Sequence, residues 1–134
     1  MRVLICAGRH FADRQRCRQA LDALQCQQPV RVLIHGGSQH LGGEIEGWAR
    51  EHGADIVRYP PNWQLHGKQA ERLRNLFMLR DSRPDLVLAL PGGDDTEELL
   101  ARARGQDLNV ICARPPLNHA QCAEAREQAC PRDR

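Results

Sequence analysis

The stretch DLVLALPGGDDTEELLARA, which begins at Asp85, constrains the fold of this chain more than any other. Its first half, residues 85–90, is an almost continuous apolar run. Such a run suits a strand buried on both faces of a parallel sheet, because a strand with one wet face would alternate. Pro91 removes a backbone donor and ends the strand, Gly92 and Gly93 let the chain turn, and Thr96, Leu99, Leu100 and Ala103 then recur at helical spacing. Strand, glycine turn and helix N-terminus in succession form an anion site, since backbone N–H groups converge at the electropositive end of the helix.

The same unit recurs upstream. Residues 2–6 read as a strand that ends at Ala7-Gly8, with Arg9 next. Cys17, Ala20, Leu21 and Leu24 mark a helix over 13–27, with Asp13 as its N-cap and Pro29 as its stop. Residues 30–35 form a second strand that runs into Gly36-Gly37. A helix over 42–52 places Ile45, Trp48 and Ala49 on one face, and Gly53 suits its C-terminus. A third strand covers 54–59.

An irregular link, YPPNWQLHGK, follows, and loops of that length in a compact domain often carry function. The next helix spans 68–80, with Ala70, Leu73 and Phe77 inward and Arg74 and Met78 on an adjoining stripe. After the 85–90 strand and its helix, a fifth strand over 109–113 is closed by Pro115-Pro116. The expected division is a domain over 1–114 and a tail over 115–134 with a short helix near 119–129. Strands alternating with helices predict an α/β three-layer sandwich around a mostly parallel five-stranded sheet. The glycine turns after strands one, two and four then share its carboxyl edge, where open α/β folds take ligands.

Composition narrows the function. A chain of 134 residues with 41% hydrophobic and 27% charged residues has room for one core. Its net charge of +2 is too small and too evenly spread for a nucleic-acid face, so no nucleic-acid partner is expected. Lys68 is the one lysine, so positive charge resides in arginine, which suits bidentate phosphate recognition. Six cysteines without a CxxC pair read as reduced thiols. No apolar run approaches membrane-spanning length, and a cytoplasmic protein without a membrane partner is expected.

CAGRH lacks the GxGxxG fingerprint, and Gly67-Lys68 is followed by Gln69 rather than Ser or Thr, so ATP hydrolysis of the P-loop kind is not expected. Arg9, just past a strand end, is either a phosphate clamp or a solvated arginine. His35 reads as a hydrogen-bonded structural histidine, Trp48 as core, and Trp63 as packing for the link. No His, Cys, Asp and Glu set has metal-ligand spacing, so no metal and no cofactor are expected. Two roles stand open for Glu98. With Asp95 as N-cap it completes a capping box, the commoner arrangement; opposite an arginine at a phosphate site it is a general acid or a stabiliser of a sugar oxocarbenium ion.

The strings CAGRHF, IHGGSQHLGGEIEGWA, YPPNW, GKQAERLRNLFML and PDLVLALPGGDDT, in this order, resemble the YspA-like branch of the SLOG superfamily. Those proteins are Rossmann-like and related to DprA and to the LOG nucleoside monophosphate phosphoribohydrolases. The resemblance spans residues 1–113. It implies binding, sensing or processing of a nucleotide or nucleotide-derived ligand, and it is compatible with a homodimer.

Position by position, Gly8 and Arg9 match the family's first turn. Gly36 and Gly37 match the second, which continues through Ser38 without the family's arginine and aspartate. Trp63, Gly67, Lys68, Arg74, Asn75 and Met78 match the middle block. Pro91, Gly92, Gly93 and Thr96 match PGGxGT, with Asp95 in place of the second glycine. The ligand-binding set is then Gly8, Arg9, Gly36, Gly37, Ser38, Arg74, Asn75, Gly92, Gly93 and Thr96. Two other readings accompany it. One is a LOG-like hydrolase with Arg74 and Glu98 as catalytic residues, although Leu99 replaces the second glutamate of that signature. The other is a ligand-free interaction module, for which Asp94 and Asp95 argue by repelling an anion.

Overall fold

The computed structural model describes residues 1–37 and 39–113. Ser38, the domain boundary at 114 and the helix expected near 119–129 lie outside the described residues. Five strands, β1 (Arg2–Cys6), β2 (Val32–His35), β3 (Asp55–Arg58), β4 (Leu86–Ala89) and β5 (Asn109–Cys112), form one sheet in the order β3-β2-β1-β4-β5. All four pairings are parallel, with Leu4 aligned to Ile34 on one side and to Val87 on the other. The chain builds outward from β1 to β3, then returns to place β4 against the other side of β1. The topological switch point lies between β1 and β4, at the strand whose sequence signalled burial on both faces.

Side-chain alternation along the strands divides the core in two. Val3, Ile5, Leu33, Leu86 and Leu88 point to the face covered by α1 (Arg14–Gln27) and α2 (Gly42–His52). Leu4, Cys6, Ile34, Val87 and Ala89 point to the face covered by α4 (Ala70–Ser82) and α5 (Asp94–Gly105). These are the three layers of a Rossmann-like α/β sandwich. Asp13 caps α1 by accepting from Arg16 N–H at 3.0 Å, and Gly53 ends α2 in the left-handed region at φ 71°. Trp48 is fully buried and donates from Nε1 to Asp22 at 2.8 Å.

Four expectations are corrected. The link after β3 is ordered into α3 (Trp63–His66) and one 3₁₀ turn over Gly67–Gln69, with Asn62 accepting from Leu65 N–H at 3.0 Å as the cap. On α4 the buried arc is Ala70, Asn75, Met78, Leu79 and Ser82, while Phe77 is 47% exposed. The helix is rotated toward the stripe that carries Arg74 and Met78, because that stripe faces β2 and the cleft described below. No capping box opens α5: Gly93 is the N-cap and Asp94 and Asp95 lie within the first turn. Their charges act on the helix end through the macrodipole rather than through a capping hydrogen bond. Cys6, Cys17 and Cys26 are free thiols, but Cys112 is disulfide-bonded, a pairing that spacing alone does not reveal.

Candidate functional site

The carboxyl ends of β1, β2 and β4 deliver three glycine turns to one edge. At the switch point the first and third turns touch. Gly8 N–H donates to the Pro91 carbonyl at 2.9 Å, and a Cβ on Gly8 would lie 2.7 Å from Gly92 Cα. A Cβ on Gly92 would lie 2.3 Å from Thr96 Oγ1. Glycine at both positions lets two backbones meet at van der Waals distance, which opens space in front of the α5 N-terminus.

Across this edge runs a cleft of two adjoining lobes, of about 1020 and about 680 Å³. One lies at α5 and includes Phe11, Lys68, Gly92, Gly93, Asp94, Asp95 and Thr96. The other lies at β2 and includes Ile5, His35, Gly36, Gly37, Leu41, Ile45, Pro60 and Met78. Gly8, Arg9, Trp63, Glu71, Arg74 and Asn75 line both and form the floor between them.

Arg74 is the best-anchored cation. It donates from Nη1 to the Gly36 carbonyl at 2.6 Å and to the Tyr59 carbonyl at 3.3 Å, and from Nε to Asn75 Oδ1 at 2.8 Å. Burial presses its pKa below the ordinary guanidinium value, yet a guanidinium stays charged at neutral pH. A Cβ on Gly36 would lie 2.1 Å from Arg74 Nη1, so that glycine is the space the guanidinium occupies.

Arg9 is half-exposed and fixed from two directions. Its Nε donates to Glu71 Oε1 at 3.2 Å, and its guanidinium carbon lies 4.7 Å from the centroid of the Trp63 ring. Trp63 therefore carries an arginine on its face rather than only packing the link. Glu71 was not singled out by sequence; its place three residues before Arg74, one helical turn away on the same face, was the signal for it.

His35 is structural. Its Nδ1 accepts from Gly37 N–H at 3.0 Å, which assigns the proton to Nε2 and makes Nε2 the donor to Glu46 at 2.9 Å. Burial lowers its pKa and keeps the ring neutral. Glu98 lines neither lobe. Its two oxygens accept from Arg72 Nε at 2.7 Å and Nη2 at 3.0 Å, and that pairing lowers its carboxyl pKa. The structure thus brings together Gly8, Arg9, Gly36, Gly37, Arg74, Asn75, Gly92, Gly93 and Thr96, and leaves Glu98 outside the group. Among the described residues no group of three or more His, Cys, Asp or Glu side chains is arranged to hold a metal ion, and no helix is long and apolar enough to cross a membrane.

Comparison with known proteins agrees with this architecture. The family model of the YspA, cpYpsA-related SLOG family matches residues 1–66. The Gene 61 protein of Mycobacterium phage D29 is 35% identical over 118 residues, which cover 82% of this chain and 94% of that protein. No solved structure matches the chain. With the first glycine turn, the second and the Trp63 link in the matched region, the chain belongs to the YspA, cpYpsA-related SLOG family.

Proposed function

We propose that this chain binds a nucleotide or nucleotide-derived ligand in the two-lobed cleft at the carboxyl edge of its sheet. One observation carries the reading: Arg9 and Arg74 lie on the floor between a lobe that Ile5, Leu41, Ile45 and Met78 help to line and a glycine turn that opens a helix. A base fits the first surroundings, a phosphate the guanidinium groups and free N–H groups of the others. Membership of a SLOG family supports a nucleotide-related ligand.

Binding without cleavage is the form the geometry supports. The hydrolase reading requires Glu98 at the reacting bond, and its carboxylate is held by Arg72 away from both lobes. The test is a thermal-shift screen of the purified chain against AMP, ADP, ATP, ADP-ribose and NAD. Ligand at a hundred times its dissociation constant adds about 2.7 kcal/mol, a rise of several degrees for a domain of this size. A melting temperature that none of the five moves overturns the proposal.

A further inference from the structure

Residues 60–69 cross the mouth of the cleft between two fixed ends. At one end Tyr59 N–H donates to the His35 carbonyl at 2.9 Å, and its hydroxyl donates to Asp81 at 2.6 Å. At the other, Ala70 is fully buried and opens α4. Between them Pro60 and Pro61 border the lobe at β2, Gly67 and Lys68 border the lobe at α5, and Trp63 borders both. The chain is ordered here, yet every residue from Trp63 to Gln69 is exposed. Asn62 caps α3 from within the segment, and among the described residues no side chain of 60–69 makes a hydrogen bond or ion pair with any other part of the protein. The one ring contact that ties the segment down is Trp63, with the Arg9 guanidinium on its face.

A segment with so few buried contacts opens locally at low cost, and a cation–π contact at an exposed site shifts such an equilibrium by only about two- to fivefold. Its two ends differ in stiffness. Pro60 and Pro61 have φ fixed by their rings, whereas Gly67 sits at φ 54° and ψ −127°, where side chains are strained. A Cβ on Gly67 would meet nothing within 4 Å, so glycine serves the backbone conformation here and not a close approach. Arg9 is oriented on the cleft floor by Glu71, so the group that holds Trp63 is also a cation of the cleft. We infer that residues 60–69 are a strap that swings about Gly67, latched over the cleft by Trp63 on Arg9; its opening admits a ligand and its closing covers it. Only the covering of a ligand rests on the nucleotide reading above. A ligand that touches Arg9 and Trp63 together does so with the strap closed, and so slows its opening.

Lys68 is the one lysine of the chain, so endoproteinase Lys-C cuts the full chain at a single bond, inside the strap. The protease takes its substrate extended, so the 3₁₀ turn that carries Lys68 must unwind first. Cleavage of the free chain is expected at a rate that urea well below the unfolding midpoint leaves nearly unchanged, the mark of a local opening. Arg9→Ala and Trp63→Leu, each checked by circular dichroism, are expected to speed it about two- to fivefold, and the double variant no further, because both remove the same contact. AMP at saturation, established by calorimetry, is expected to slow cleavage of the wild type at least about tenfold. A rate that follows global unfolding in urea, or that both folded single variants leave unchanged, overturns the latched strap. AMP that binds without slowing cleavage overturns its closing over a ligand. If neither AMP nor ADP, ATP, ADP-ribose or NAD binds, the nucleotide reading falls, and the urea series and the variants decide the strap by themselves.

Discussion

The Gly36 carbonyl accepts a hydrogen bond from Arg74 Nη1 at 2.6 Å, and the space a Gly36 side chain would fill is the space that guanidinium occupies. The end of β2 and the inner arc of α4 are thereby tied at the cleft floor. Gly36→Ala must displace Arg74, and with it the bonds to the Tyr59 carbonyl and to Asn75. The expected cost is about 1–3 kcal/mol, from overpacking and from partly buried acceptors left unpaired. Urea unfolding measures this cost, and AMP titration measures the loss of affinity expected when Arg74 leaves its place on the cleft floor. An alanine variant with unaltered midpoint and affinity would show that Arg74 does not depend on this contact.

The contact between Gly8 and Gly92 gives a second test with an internal control. A methyl group on Gly8 would meet the Gly92 backbone at 2.7 Å, whereas one on Gly47, within α2, would meet nothing within 4 Å. Backbone cannot rotate away as a side chain can. Gly8→Ala is therefore expected to lose about 1–3 kcal/mol, and Gly47→Ala to gain about 0.5–1 kcal/mol through helix propensity. Melting temperatures of the two variants should move in opposite directions.

Much of this fold was legible in the sequence, and the failures share a physical origin. Each buried strand was signalled by its own apolar run, and α5 by Thr96, Leu99, Leu100 and Ala103, all of which are buried. These are one-dimensional signals that local periodicity carries. The inward face of α4 was misread because two stripes compete there. Leu73 and Phe77 satisfy helical spacing, but a polar arc of Arg74 and Asn75 faces inward beside Met78, and periodicity counts polar residues as outward. Site residues follow the same rule. The glycine turns were visible because their chemistry is local, while the roles of Glu71 and Trp63 exist only once Arg9, more than fifty residues away in sequence, lies against them.

His35 predicts how stability depends on pH. Burial depresses its folded-state pKa from the ordinary 6.5, so the unfolded chain takes up a proton at a pH where the folded chain does not. Stability is therefore complete above about pH 6.5 and is lost as pH falls through the interval between that value and the depressed one. Glu46, whose pKa is lowered chiefly by its hydrogen bond with Arg58, adds a second loss that begins only below about 4.5. Urea midpoints measured from pH 8 to pH 5 should fall in the wild type and stay nearly flat over that range in a folded His35→Gln variant. A wild-type profile with no slope between pH 6.5 and 5 would contradict the buried neutral ring.

Glu98 separates binding from cleavage. Arg72 holds both its oxygens, and a carboxyl kept below its ordinary 4.5 is ionised at neutral pH, with no proton to give a leaving base. Turning it into the cleft would require breaking a bidentate pair and the weaker contact with Arg102 at 3.9 Å. Glu98→Gln should accordingly leave AMP affinity within about twofold, as expected for a surface ion pair remote from the ligand, whereas Arg74→Ala should weaken it by at least about tenfold. Chromatography of AMP incubated with the wild type decides the remaining question. No free adenine fits a binding protein, while adenine released by the wild type and abolished in a folded Glu98→Gln variant would mean that Arg72 lets go in the complex and that hydrolysis is the function.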